Sequence, residues 1–275
     1  MKHFLPCVLI FFSLQINGQY FSGGSGSVGD PYIIGNASDL IVLSQLDSTT
    51  ADTLWTKNYI LAGDIDFGKD ETLVDWNGDG TADWNSEDSL GFRPIGFFDY
   101  GLQSNTRPGV KFSGNFIGNG KSINGLFINR PGENKIGLFG YVYYGSVKYL
   151  KLTNVDITGM DYVGGLVGDN GETNYGTINN CFTFGIVSYS GTEPVSPTVC
   201  GFVGGNPGTI TSCYYNSAVA TKTDTATGVS DIDLSVQSNF IGWDFIGEIV
   251  NGTDDYWSIN SSINNGYPYL TGMQP

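Results

Sequence analysis

Residues 163–191 read VGGLVGDNGETNYGTINNCFTFGIVSYSG. Much of that pattern returns from Val199 as VCGFVGGNPGTITSCYYNSAV, and an earlier copy, IGLFGYVYYGSVKYLKLTNVDITG, starts at Ile136. Aligned, Gly137, Gly165 and Gly201 correspond, then Leu138, Leu166 and Phe202, then Gly140, Gly168 and Gly204. Further along, Val147, Ile178 and Ile210 match, followed by Leu150, Cys181 and Cys213. A looser copy, GNGKSINGLFIN, puts Ile123 and Leu126 in the places of Ile178 and Cys181. The leucine position recurs after 28 and then 36 residues, so the loops change length while the glycine and apolar frames persist.

Such a pattern constrains the fold strongly. If each copy is one coil, matched residues stack about 4.8 Å apart on parallel strands, so an inward position stays apolar in every coil. Glycine is needed where backbones approach closely or turn with positive φ. Asn119, Asn170 and Asn206 lie beside glycines and fit the corners, because asparagine tolerates the left-handed conformation. A β-sandwich also uses short strands and glycine turns, but has no reason to repeat one glycine at one offset. The expected fold is therefore all-β, a right-handed parallel β-helix-like solenoid, in keeping with 40 glycines and 14% charged residues.

The start, MKHFLPCVLIFFSLQING, runs from basic to apolar to a small residue and reads as a signal peptide over residues 1–18. Its removal takes Lys2 and the sole histidine, His3, leaving 11 basic against 27 acidic residues. That balance disfavours nucleic acid and anionic membrane as partners. A chain without histidine also lacks the Ser-His-Asp and Cys-His mechanisms and histidine-bearing zinc sites. No later stretch approaches the roughly 20 apolar residues of a membrane span, so a secreted or cell-surface product without membrane insertion is expected.

The segments GLFGYV, VGGLVGDN, GTINNCFTFGIVS and GFVGGNPGTITSCYY closely resemble the GLUG-motif repeats of bacterial surface and secreted proteins. Those repeats also occur beside immunoglobulin-A-cleaving metallopeptidases. GDPYIIGNASDLIVLSQL resembles the segment that leads into such repeats, YILAGDIDF with RPIG and FSGNFIGNGKSINGLFI their first coils, and WSINSSINNGYPYL their aromatic close. The resemblance implies an adhesive or structural solenoid module with no defined enzymatic activity. The peptidase motif His-Glu-x-x-His is absent, so proteolysis does not carry over.

One segment carries possible metal chemistry. Asp75, Asn77, Asp79, Gly80 and Asp83 follow the D-x-N-x-D-G spacing of a calcium loop, with Thr81 offering a carbonyl. The closing glutamate of an EF-hand would fall at Ser86, so a non-EF structural calcium loop within residues 64–88 is expected, against a merely solvated acidic insertion. Cys181 and Cys213 should stack on adjacent coils as reduced, buried thiols, because parallel stacking holds their Cβ atoms wider apart than a disulfide favours. Cys200 replaces Gly164 of the preceding coil.

For recognition, Tyr141, Tyr143, Tyr144 and Tyr149, with Phe182, Phe184, Tyr214 and Tyr215 on later coils, could line a flank on which sugar rings stack; the competing reading packs them in the core. Trp243, Phe245, Trp257, Tyr267 and Tyr269 should cap the last coil, whose open end exposes strand edges. Asp156, Asp161 and Asp169 with Arg93, Arg107 and Arg130 form no pair repeated at a shared coil position, so no catalytic residue is assigned.

The organisation expected is a leader (1–18), first coils with the acidic calcium loop (19–111), regular repeats (112–219) and a C-terminal strand with an aromatic cap (220–275). The function expected is an exported, non-catalytic adhesion or ligand-binding module for a surface glycan or a protein of a host or neighbouring cell. A calcium-dependent polysaccharide lyase or hydrolase, and a structural matrix protein, are the alternatives.

Overall fold

In a computed structural model, residues 20–46, 48–67, 90–96, 110–171, 176–190, 199–205, 208–216, 227–229, 235–250, 256–263 and 266–270 are described. The first face of the molecule is a six-stranded parallel sheet of Tyr32–Ile34, Asn58–Leu61, Asn115–Ile117, Ser146–Lys148, Thr177–Asn179 and Thr209–Thr211, stacked in chain order. One row across it runs Tyr32, Tyr59, Phe116, Val147, Ile178 and Ile210. These side chains point into a continuous core because each coil places the same inward position over the last.

A second, parallel face is built from Ile65–Asp66, Ser122–Asn124, Lys151–Gly159, Phe182–Tyr189, Tyr214–Asn216 and Thr227–Val229, with Phe127–Asn129 pairing the far half of Lys151–Gly159. Two three-stranded parallel sheets complete the cross-section. The third face holds Asn134–Ile136, Asp161–Gly164 and Val199–Cys200, and the fourth holds Phe139–Tyr141, Val167–Asp169 and Val203–Gly205. Three coils, 115–141, 146–169 and 177–205, each visit all four faces in order. The chain is a parallel β-solenoid.

The frame glycines have a specific use. The fourth face of each coil lies against the third face of the coil before it, and a Cβ at Gly168 would overlap the backbone of Lys135 and Ile136. At Gly204 it would overlap Tyr162 and Val163. Leu138, Leu166 and Phe202, beside these glycines, are fully buried in the common core. The repeat is thus a spacing rule: no side chain where two backbones touch, and a large apolar one where the chain turns inward.

The register expected for Val147, Ile178 and Ile210 is present, as is the match of Cys200 to Gly164. The looser early copy is corrected. Ile123 lies beside Leu152 and Ile65 on the second face, and Phe116 occupies the place of Ile178. The cause is a longer corner: four residues, 118–121, separate the two strands there, whereas two, 149–150, do so one coil later. The corner asparagines also divide. Asn119 is left-handed (φ 52°), Asn206 lies outside the described residues, and Asn170 is not left-handed but buried, donating Nδ2 to the Gly176 carbonyl at 3.2 Å. The repeating left-handed corner is instead Tyr149, Asn180 and Ser212, at φ 57°, 49° and 51°.

Behind that corner Leu150, Cys181 and Cys213 are buried in one row. The cysteines are free thiols, and the Cys181 amide points at the Cys213 sulfur at 3.4 Å. Burial, reinforced by Cys181, pushes the Cys213 thiol well up, so it is a poor nucleophile.

Segments outside the coils cover the N-terminal end and, towards the C-terminal end, one flank. At the N-terminal end, helix α1 (Ala37–Gln45) is capped by Asn36, whose Oδ1 accepts from the Asp39 amide at 3.0 Å. Helix α2 (Ser48–Leu54) follows, and Leu40, Leu43, Ala51 and Trp55 from this region enter the core, with the Trp55 indole donating to the Leu43 carbonyl. At the other end Phe240, Trp243, Phe245 and Trp257 form an aromatic cluster of their own. They pack on Phe182 and Tyr214, which point outward from the second face, so the cap covers a flank of the solenoid.

One outward row of the second face, Ser122, Lys151 and Phe182, contains a lysine that is 3% exposed. Burial pushes the Lys151 amine down to about 8, Asp64 opposing this and Lys121 adding to it. Between about pH 8 and the ordinary value of 10.5 the unfolded chain therefore holds this proton more firmly than the folded one, and stability rises with pH. The gain is about 3 kcal/mol over the whole window. Above about pH 9 the buried Cys213, and above about pH 10 the buried Tyr59 and Tyr214, all raised by desolvation, impose the opposite slope. Urea unfolding between pH 8 and 9 should show a steeper rise with pH in the natural chain than in Lys151→Met. Equal slopes would remove Lys151 as its source.

Candidate functional site

The outer side of the third and fourth faces gathers most of the unusual side chains. Asn134 pairs with Asp161 and Ile136 with Val163, which sets Lys135 and Tyr162 in one row, both left-handed at φ 61° and 53°. Such angles in non-glycine residues carry a cost and mark places fixed by their surroundings. Lys135 Nζ lies 2.8 Å from Asp169 Oδ2, with the side chains 2% and 4% exposed, and 4.0 Å from the Tyr141 ring centroid. One coil later Tyr162 lies against Gly205, the residue in register with Asp169, so aromatic cover replaces the ion pair.

Beside this pair, Lys111 Nζ stands 3.9 Å from the Tyr143 ring centroid and 5.6 Å from that of Tyr141. Tyr143 and Tyr144 meet edge to face at 4.9 Å, and Tyr144, left-handed at φ 62°, is 65% exposed. Three of the four tyrosines expected to bind are therefore together. Tyr141 is the buried base, Tyr143 is half-buried and Tyr144 is presented to solvent. Tyr149 is elsewhere, at the corner of the first and second faces, where it packs towards Tyr256 of the cap with Lys148 Nζ 5.9 Å from its ring.

The expected continuation of the aromatic flank onto later coils is corrected. Phe182 and Tyr214 are buried beneath the cap, Phe184 packs against Tyr267, and Tyr215 points into the interior core. The C-terminal aromatics occupy the face on which a sugar would have stacked. Sequence reading missed Lys111 and Lys135. Their signal was two charges, Lys135 and Asp169, set in adjacent coils within a frame otherwise written in glycine and apolar residues.

The calcium residues Asp75, Asn77, Asp79, Thr81 and Asp83 lie outside the described residues. Among the described residues no group of three or more His, Cys, Asp or Glu side chains is placed to hold a metal ion. Of the acids considered for catalysis, Asp169 is held by Lys135 within the fold, and Asp156 is exposed on the second face. Arg130 pairs with Glu133 at 2.9 Å. Among the described residues no helix is long and apolar enough to cross a membrane.

No family model matches the chain. Its sequence is 31% identical over 148 residues, 54% of the chain, to a halomucin of Haloquadratum walsbyi, and covers 1% of that protein. It is 32% identical over 168 residues, 60% of the chain, to a protein of Evansella cellulosilytica named as a Gly-rich membrane protein, and covers 16% of it. The chain thus spans a small fraction of the length of the relatives it matches. A solved structure named as an immunoglobulin A1 protease from Bacteroides ovatus aligns with 72% of this chain and 50% of its own, at 18% identity and a TM-score of 0.42.

Proposed function

We propose that the chain is a non-catalytic, surface-displayed β-solenoid module that binds a glycan through Tyr144, Tyr143 and Lys111. The observation that carries this reading is Tyr144, a large aromatic side chain left mostly in water on a left-handed backbone and braced by Tyr143 under the Lys111 ammonium. Exposed tyrosine stacks well on a sugar ring, and a neighbouring cation suits an acidic one. The names of the two relatives, neither of them that of an enzyme, support display at a surface. Calcium at Asp75, Asn77, Asp79, Thr81 and Asp83 would be structural, fixing a long insertion between coils.

Purified chain, with and without calcium, is to be passed over immobilised acidic and neutral polysaccharides while retention and new sugar ends are scored together. Retention without cleavage is expected, reduced about tenfold by Tyr144→Ala, the loss of roughly 1.4 kcal/mol of stacking. Cleavage that disappears when calcium is removed would overturn the reading in favour of a polysaccharide-degrading enzyme. Neither signal would leave a protein partner as the better account.

A further inference from the structure

Sugar stacking at Tyr144 makes no use of the buried Lys135 and Asp169 beneath it. A buried ion pair is a weak source of stability, because desolvation offsets most of the Coulomb attraction, and the next coil fills the same place with Tyr162 over Gly205 and no charge. We propose that Lys135 and Asp169 condense to an intramolecular isopeptide bond that staples coil 115–141 to coil 146–169.

The amine and the carboxyl group to be joined are already in contact, Nζ to Oδ2 at 2.8 Å, and both are shut from water. Tyr141 covers the amine on one side at 4.0 Å. The Gly168 backbone, immediately before Asp169, lies against the backbone of Lys135 itself, which holds the two side chains at neighbouring points of origin. Holding two groups in this way replaces an encounter in solution by a reaction within one site.

For the bond to form, a proton passes along the hydrogen bond from the ammonium to the carboxylate. The amine so freed attacks Cγ and forms the N–C bond. The Cγ–Oδ2 bond then breaks, the departing hydroxyl takes the second proton from nitrogen, and one water leaves. Nothing is oxidised or reduced and no cofactor is consumed. The product is a neutral amide in place of two buried charges, and it ties neighbouring coils together where they otherwise meet through glycine backbone.

The test is trypsin digestion of the purified, then denatured, full chain, read by mass spectrometry, with circular dichroism recorded beforehand to establish that the chain was folded. Trypsin does not cut after an acylated lysine. The expected product is a branched peptide containing both Lys135 and Asp169, lighter than its two linear parts by one water, and absent from Lys135→Arg and from Asp169→Ala. A linear peptide ending at Lys135 as the dominant species in the folded natural chain, with Asp169 in an unmodified peptide, overturns the proposal.

Discussion

Replacing Gly168 by alanine is expected to cost about 3 kcal/mol of folding stability, a large effect for one methyl group. The added Cβ would overlap the Lys135 carbonyl carbon and the Ile136 nitrogen, and both are backbone atoms in the middle of a parallel strand. Neither can swing aside as a side chain would, so either the third and fourth faces separate or the register between coils slips. Gly204→Ala meets Tyr162 and Val163 in the same manner and should behave alike. Gly63→Ala is the control. Nothing lies within 4 Å of its added methyl, and its stability should be unchanged or slightly raised. Urea unfolding followed by circular dichroism checks the set; if Gly168→Ala tracks Gly63→Ala, close backbone approach is not what the frame glycines serve.

The second large effect is expected at Trp243. Its ring stacks on Trp257 at 3.8 Å and packs with Phe240 and Tyr214, while its indole donates to the Ser212 carbonyl at 2.5 Å. Trp243→Ala should cost roughly 3–5 kcal/mol, the usual range for truncating a buried tryptophan. It should also have a consequence that the loss of an ordinary core residue lacks. The cap covers Phe182 and Tyr214, and Thr227–Val229 is the outermost strand of the second face among the described residues, so loosening the cap exposes an apolar row beside a strand edge. Sedimentation velocity should show the variant associating at concentrations where the natural chain does not. Ile249→Ala, at a residue 89% exposed, should change neither property. A Trp243→Ala chain that stays monomeric and loses less than about 1 kcal/mol would show the cap to be dispensable.

Much of the solenoid could be read in the sequence because stacking converts three-dimensional neighbours into linear periodicity. Val147, Ile178 and Ile210 recur in one frame since each lies directly over the last. Legibility failed where that conversion fails. Ile123 was misplaced because the corner before it is longer and, unlike the corners that hold Leu150, Cys181 and Cys213, has no apolar inward residue to keep count. Helices α1 and α2 belong to no repeat, although the Asn36 cap and the spacing of Leu40 and Leu43 were present to be read. The candidate site was half legible. Tyr141, Tyr143 and Tyr144 are neighbours in the chain, but Lys111 and Asp169 reach them from adjacent coils, and no single window contains that meeting. The fate of Phe182 and Tyr214 depended on a segment docking on the outside of the coils, which periodicity does not report.

The parallel stacking has a mechanical consequence. The hydrogen bonds that join one coil to the next lie along the long axis, so tension between the two ends of the chain is concentrated on the bonds where the chain leaves the stack, and a terminal coil peels first. Thr177 and Thr209 are in register one coil apart. The 32 residues between those positions would free about 110 Å of extended chain when that coil lets go. A molecule built this way lengthens under load in discrete steps. At its C-terminal end the aromatic plate bound across Phe182 and Tyr214 must be lifted before the first step can occur.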